Sequence, residues 1–362
     1  MDERLRVGIT QGDVNGIGYE TILKTFDDPM MYEFCIPVLY GSPKTAIYHR
    51  KALDLQTQFN VVASAKDAEP NRLNVVDCNP EEVHIEFGVA SEESGKAAFL
   101  ALERAVQEYR DGLIDVIVTA PINKNSIHSE AFHFPGHTEY LEDRLGQGNK
   151  ALMILMNSSM RVALATVHDP ISEVAGKLSV QLIKERIAVL HKTLKQDFCI
   201  EKPRIAVLGL NPHAGDGGLL GKEEEEIIKP AIEEMAKEKI QAFGPFPADG
   251  FFGSGDYRKF DAILAMYHDQ GLIPLKALDM DGGVNFTAGL PVVRTSPDHG
   301  TAYDIAGKGI ANEDSMRQAI FTAIDVERCR RNEKTIHANP LRKLYFDRHD
   351  DSDKIRLDTA RE

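Results

Sequence analysis

The sequence contains no tryptophan, only four cysteines, and no run of about 18 apolar residues. Each shortage excludes something. Cys35, Cys78, Cys199 and Cys329 form no Cys-x-x-Cys pair, so four reduced thiols are expected rather than a disulfide framework or a cysteine zinc site, which points to a cytoplasmic protein. Without a long apolar run no membrane span is expected, and Met1-Asp2-Glu3-Arg4 lacks the apolar stretch of a signal peptide. Positive charge is short too: 42 Lys and Arg face 56 Asp and Glu, for a net charge of −14. Such a chain repels nucleic acid and anionic membranes, so neither is expected as a partner. An anionic substrate would need its positive charge supplied locally, by a metal, Lys or Arg. No internal repeat or low-complexity linker is visible.

What is present is ordinary for a folded protein: 43% hydrophobic and 27% charged residues in 362, long enough for two domains. Short apolar runs read as strands at Leu5–Thr10, Ile36–Tyr40, Phe59–Ala63, Val116–Thr119, Ala151–Met156, Val162–Val167, Ile205–Leu210, Ala262–Tyr267 and Val292–Thr295. Amphipathic stretches between them read as helices at Ser94–Arg110, from Ser179 as N-cap to about Lys195, at Glu223–Lys237, and at Asp314–Arg331. Strand and helix alternate, so the fold class is α/β with a mostly parallel sheet.

Three of the strands end in the same way. Val162–Val167 runs into His168-Asp169, Ile205–Leu210 into Asn211-Pro212-His213, and Ala262–Tyr267 into His268-Asp269. The carboxyl edge of an open α/β sheet is where ligands bind. Three imidazoles there favour a divalent ion with open positions for substrate, and the neighbouring aspartates could orient the rings. The bland alternative is three unrelated loop histidines among the twelve in the chain.

Lys276 and Arg294 stand in apolar, Gly-rich surroundings downstream of His268, placed to meet a carboxylate or phosphate. Phe134-Pro135-Gly136 presents His137 and Thr138 just before a helix. After the first strand comes Gly12-Asp13-Val14-Asn15-Gly16-Ile17-Gly18. Its spacing is not the dinucleotide fingerprint, and the Tyr-x-x-x-Lys pair of short-chain dehydrogenases occurs only at Tyr40 and Lys44, too early to serve. Gly16 and Gly18 are read as permitting a tight turn and close packing, with no nucleotide role.

The run Pro297-Asp298-His299-Gly300-Thr301-Ala302-Tyr303-Asp304-Ile305-Ala306-Gly307-Lys308-Gly309-Ile310-Ala311-Asn312 resembles the cofactor loop of the isocitrate and isopropylmalate dehydrogenase superfamily. Within it, Thr119–Lys124, the His137-Thr138 loop, Asn211–Gly217, Gly244–Asp249 and Tyr267–Gly271 resemble the 4-hydroxythreonine-4-phosphate dehydrogenase family, a likeness running from about Leu5 to Arg331.

The resemblance implies two α/β/α sandwich domains separated by a cleft: 1–128 with 303–345, then 129–302, with a polar tail at 346–362. It implies a homodimer with active sites at the subunit interface, and one divalent ion per site (zinc, magnesium or cobalt) on His168, His213 and His268, the first two facing His268 of the partner chain. It implies substrate contacts from His137, Thr138, Lys276, Asn285 and Arg294. NAD or NADP would lie on His299, Gly300, Thr301, Asp304, Ile305 and Asn312. The implied reaction is oxidation and decarboxylation of 4-phosphohydroxy-L-threonine, with D-threonate or D-erythronate 4-phosphate as alternative substrates. Lys276 and Asp249 are both candidates for the proton relay. Val14-Asn15 and Tyr19 depart from the family pattern and leave room for a shifted substrate. Two other readings, a binding protein with a structural metal and a phosphate acyltransferase, would need a fourth metal ligand or no cofactor loop.

Overall fold

The computed structural model describes residues 4–79, 81–130 and 132–338. The expected polar tail, and residues 339–345 of the first expected domain, lie outside them. Among the described residues twelve strands form one sheet. They are β1 (Leu5–Thr10), β2 (Cys35–Gly41), β3 (Phe59–Val62), β4 (Leu73–Asp77), β5 (Val116–Thr119), β6 (Leu152–Met156), β7 (Arg161–Leu164), β8 (Arg204–Leu208), β9 (Gln241–Phe246), β10 (Ala262–Ala265), β11 (Val284–Ala288) and β12 (Arg294–Pro297). The strand order is β3-β4-β2-β1-β5-β12-β11-β6-β7-β10-β8-β9. Pairing is parallel except where β11 meets β12 and β6, and where β6 meets β7. The antiparallel patch thus joins two parallel halves.

The apolar strands of the sequence are the buried centre of each half. In β1 every residue but Arg6 is buried, and in β5 and β10 every residue is, as strands covered on both faces require. The helix Glu92–Arg110 starts at an N-cap, Ser91, and lays Ala98, Ala101, Leu102, Ala105 and Val106 against the sheet. Ser179 caps the helix Val180–Gln196 as its sequence indicates, accepting from the Leu182 N–H at 3.1 Å. Phe286 on β11 is fully buried and meets Phe198 edge to face at 5.6 Å, at the seam between the halves. Phe286→Ala should lower the unfolding free energy by roughly 3–5 kcal/mol, read as a shift in the urea midpoint, because the seam cannot collapse around the cavity.

Several expectations change. Three strands were not foreseen: β4 carries Asn74 and Asp77, β9 carries Gly244-Pro245 at a sheet edge, and β11 interleaves Asn285 and Thr287 with apolar residues. The strand expected at Val292–Thr295 begins two residues later, because its pairing with β5 starts at Arg294. The helix expected at Glu223–Lys237 opens as a π turn over Glu224–Ile228 before becoming α-helical. The helix expected at Asp314–Arg331 extends to Ala338. The four cysteines are not four separate thiols: Cys199 and Cys329 are joined as a disulfide, with Cα atoms 5.8 Å apart, and only Cys35 and Cys78 are free. Their separation of 130 residues conceals that the turn after Val180–Gln196 packs on the C-terminal helix, where Arg330 also pairs with Asp197 at 2.6 Å. Among the described residues no helix is long and apolar enough to cross a membrane.

Candidate active site

A cavity of about 310 Å³ opens at the carboxyl ends of β5 and its parallel neighbour β12. Thr119, Lys124, His137, Lys276, Asn285, Arg294, Ser296, Asp298 and His299 all line it. Local structure places each. β5 ends at Thr119, and Asn123 then accepts from the Asn125 and Ser126 N–H groups, each at 3.0 Å, which starts a short helix at Lys124. His137 is the first residue of the helix His137–Leu145, whose N-cap is Gly136.

Arg294 dominates the electrostatics. It is 3% exposed, and its guanidinium donates to Thr119 Oγ1 at 2.7 and 3.1 Å and to Thr287 Oγ1 at 3.0 Å. Its partners are hydroxyls. Among the described residues it forms no ion pair, and burial pushes its pKa down to about 10, with Glu139 only partly offsetting that. A buried cation without a carboxylate is unfavourable unless a ligand brings the anion. His137 is held well below the usual histidine range, first by burial and then by the positive charges of Arg294 and Lys124, so it offers a neutral imidazole. Lys276 sits 3.3 Å from Asp298 Oδ2. Burial raises the Asp298 pKa, with the Lys276 charge opposing that rise. Two buried atoms at the cavity lack partners among the described residues, Asn285 Oδ1 and His299 Nε2. A second cavity, of about 340 Å³, holds Lys192, Arg330 and Lys334 at the other end of β11, but Arg330 there is already neutralised by Asp197.

Two of the three strand-end histidines meet within the chain. β7 and β10 run side by side, and beyond them the Thr166 side chain donates to the Met266 carbonyl at 2.7 Å. His168 and His268 therefore emerge together, with ring centroids 6.1 Å apart in the same chain. Asp269 Oδ1 lies 2.8 Å from His268 Nδ1, leaving Nε2 for a ligand. Burial is the main cause that lowers the His168 pKa, which favours the metal-binding neutral form. His213 lies apart, exposed on a turn where residues 213–217 all have positive φ. That strained run is fixed by Asn211, whose N–H and side chain bond the Glu224 carboxylate at 2.7 and 3.0 Å. Among the described residues no three His, Cys, Asp or Glu side chains of the chain converge on one ion position.

The remaining site residues divide. Thr138 follows His137 on the first helical turn but does not line the cavity. Asp249 is exposed at the start of the helix Ala248–Gly253, outside it. His299 and Gly300 reach the cavity, whereas Thr301, Asp304, Ile305 and Asn312 continue away along the loop to the C-terminal helix. Thr119, Lys124, Ser296 and Asp298 were given no role from sequence; the signal for Thr119 and Lys124 was their position at the carboxyl end of β5. Val14, Asn15 and Tyr19 do not open the site. All three are buried away from the cavity, with the Tyr19 hydroxyl donating to Gln11 Oε1 at 2.6 Å and its ring stacked on His49 at 4.8 Å.

Residues 33–323 match the profile of the pyridoxal phosphate biosynthetic protein PdxA. The chain belongs to the PdxA family. A 4-hydroxythreonine-4-phosphate dehydrogenase of Bacteroides thetaiotaomicron is 64% identical over 361 residues, covering 100% of this chain and 99% of that one. A D-threonate 4-phosphate dehydrogenase of Cupriavidus necator is 40% identical, covering 87% and 95%. A solved structure of the Klebsiella pneumoniae 4-hydroxythreonine-4-phosphate dehydrogenase superposes with a TM-score of 0.79 at 34% identity, covering 90% of this chain and 98% of that one. This PdxA-family chain is accordingly a dehydrogenase, and its cavity carries cations suited to a small phosphorylated acid.

Proposed function

We propose that the chain oxidises 4-phosphohydroxy-L-threonine with NAD or NADP and lets the resulting β-keto acid lose carbon dioxide, giving 3-amino-2-oxopropyl phosphate for pyridoxal 5'-phosphate synthesis. The observation that carries this is the buried Arg294, without an ion pair among the described residues, in a cavity shared with Lys124 and Lys276. It demands an anion, and a phosphorylated acid brings one at each end.

The donor set fits a divalent ion. The His168 and His268 rings stand 6.1 Å apart, and Asp269 orients the second. We assign the third ligand to His213 of a second copy. Exposed Ile171, Leu219 and Ile273, at 74%, 79% and 65%, stand close to His168, His213 and His268 in sequence, as an interface around the histidines would need. The cytoplasm is the compartment this reading implies.

When bound, the ion would lower the pKa of the substrate hydroxyl and the nicotinamide would accept the hydride from the carbon that bears it. Arg294 and Lys124 hold the anionic groups, and neutral His137 can donate a hydrogen bond without adding charge. Asn285 Oδ1 is free to accept from the substrate's amino or hydroxyl group. Lys276 is the proton relay we favour over Asp249, because Asp298 fixes its ammonium at the cavity. Fixing both ends of the substrate aligns the hydride, where orientation supplies much of the rate.

The second reading, D-threonate 4-phosphate, is favoured by the Cupriavidus necator relative. Measuring kcat/KM on both phosphates separates them. A higher kcat/KM on hydroxythreonine phosphate is expected, in line with the name of the 64% identical relative. A reversed preference would replace the first substrate with the second.

A further inference from the structure

The glycine loop near the N-terminus has no role in the site as described, yet it and the helix that follows hold the cofactor loop in shape. Between Pro297 and Asp314 the chain forms neither helix nor strand. Its near arm is fixed by the Ile17 N–H, which donates to the Thr301 carbonyl at 3.0 Å, and by the Tyr303 hydroxyl, which donates to Asp13 Oδ2 at 2.7 Å. Gly16 is required there, since a Cβ would stand 2.7 Å from the Thr301 carbonyl oxygen. Its far arm is fixed from the helix Gly18–Thr25. Lys24 Nζ donates to the carbonyls of Gly309 and Ala311 at 3.0 and 2.7 Å. Glu20 Oε1 accepts from Lys24 at 2.9 Å and from the Ala311 N–H at 2.8 Å. The Glu20 side chain is 1% exposed and that of Lys24 19%.

The geometry points to Lys24, with Glu20 beneath it, as a positioning residue for the nicotinamide cofactor: the pair clamps residues 309–311 and so pre-shapes the loop that receives it. This rests on the reading that 299–312 is the cofactor loop. Gly307 and Gly309 both have positive φ, and a loop so rich in glycine has much conformational entropy to lose on binding. An intact clamp removes that loss beforehand, during folding. Without it the loss falls on the cofactor and weakens its binding, while the substrate cations, on other elements, are unaffected.

The test is a fluorescence titration of the full chain with NADH, helped by the absence of tryptophan. Lys24→Met should raise the NADH Kd and the KM for NAD about tenfold, leave kcat and the substrate KM within about twofold, and be largely rescued by Lys24→Arg. Should Lys24→Met not fold, Tyr303→Phe deletes only the hydroxyl at the other arm and should raise Kd about threefold. A folded Lys24→Met with wild-type NADH affinity, or a weakening shared equally by substrate and cofactor, would overturn the proposal. A wild-type chain that gives no NADH titration would instead sink the cofactor-loop reading itself, so the two failures are distinguishable.

Discussion

Replacing Arg294 with Met should lower kcat/KM for the phosphorylated substrate about a thousandfold while leaving the protein at least as stable. The two halves of that expectation have one cause. Arg294 is buried among hydroxyls, with no ion pair among the described residues, so the folded chain carries the desolvation of a cation without its counter-ion. The substrate's anion supplies the missing partner. Removing the guanidinium takes away a charge-assisted contact that only the ligand completes, and it also removes an uncompensated ion from the interior. Met keeps most of the volume. Steady-state kinetics and a thermal melt of the same sample read both halves. A sharp fall in melting temperature with kcat/KM little changed would make Arg294 a structural residue.

The second large effect concerns the histidines. His213→Ala and His268→Ala should each lose bound metal and nearly all turnover, with secondary structure intact. Mixed together after unfolding and refolding, the two inactive variants should recover about a quarter of wild-type activity. His168 and His268 meet within one chain and His213 does not join them, so each site would draw two ligands from one copy and one from the other. A mixed dimer then has one site with all three ligands and one with neither His213 nor His268. Random pairing makes half the dimers mixed. If all three ligands came from a single chain, no mixture would regain activity, since every site would lack a histidine.

The sequence made the strands of the two parallel halves legible because residues such as Val116–Thr119 are apolar on both faces, a pattern with few other readings. It showed Lys276 and Arg294 because a long cation in an apolar stretch is conspicuous. It could not show that Asp298 reaches Lys276, or that Thr119 and Thr287 hold Arg294, because those contacts are made across strands joined only by folding. β11 was missed for a related reason: its polar residues, Asn285 and Thr287, face the site side chains, so the strand lacks the apolar signature of its neighbours. The Cys199–Cys329 pair and the Lys24–Ala311 bond join residues 130 and 287 positions apart, beyond any local pattern. The three strand-end histidines lie at one sheet edge, since β10 pairs with both β7 and β8, but His213 sits on a turn of five successive positive-φ residues, which no spacing in the sequence reveals.

The most direct measurement is NADH formation from 4-phosphohydroxy-L-threonine by the purified chain, before chelation, after chelation with metal content checked, and after zinc, magnesium or cobalt is returned. The account predicts turnover that disappears with the metal and comes back with it, together with release of carbon dioxide equal to the NADH formed. Undiminished turnover in metal-free protein, or no NADH from either phosphorylated acid under any metal, would contradict it.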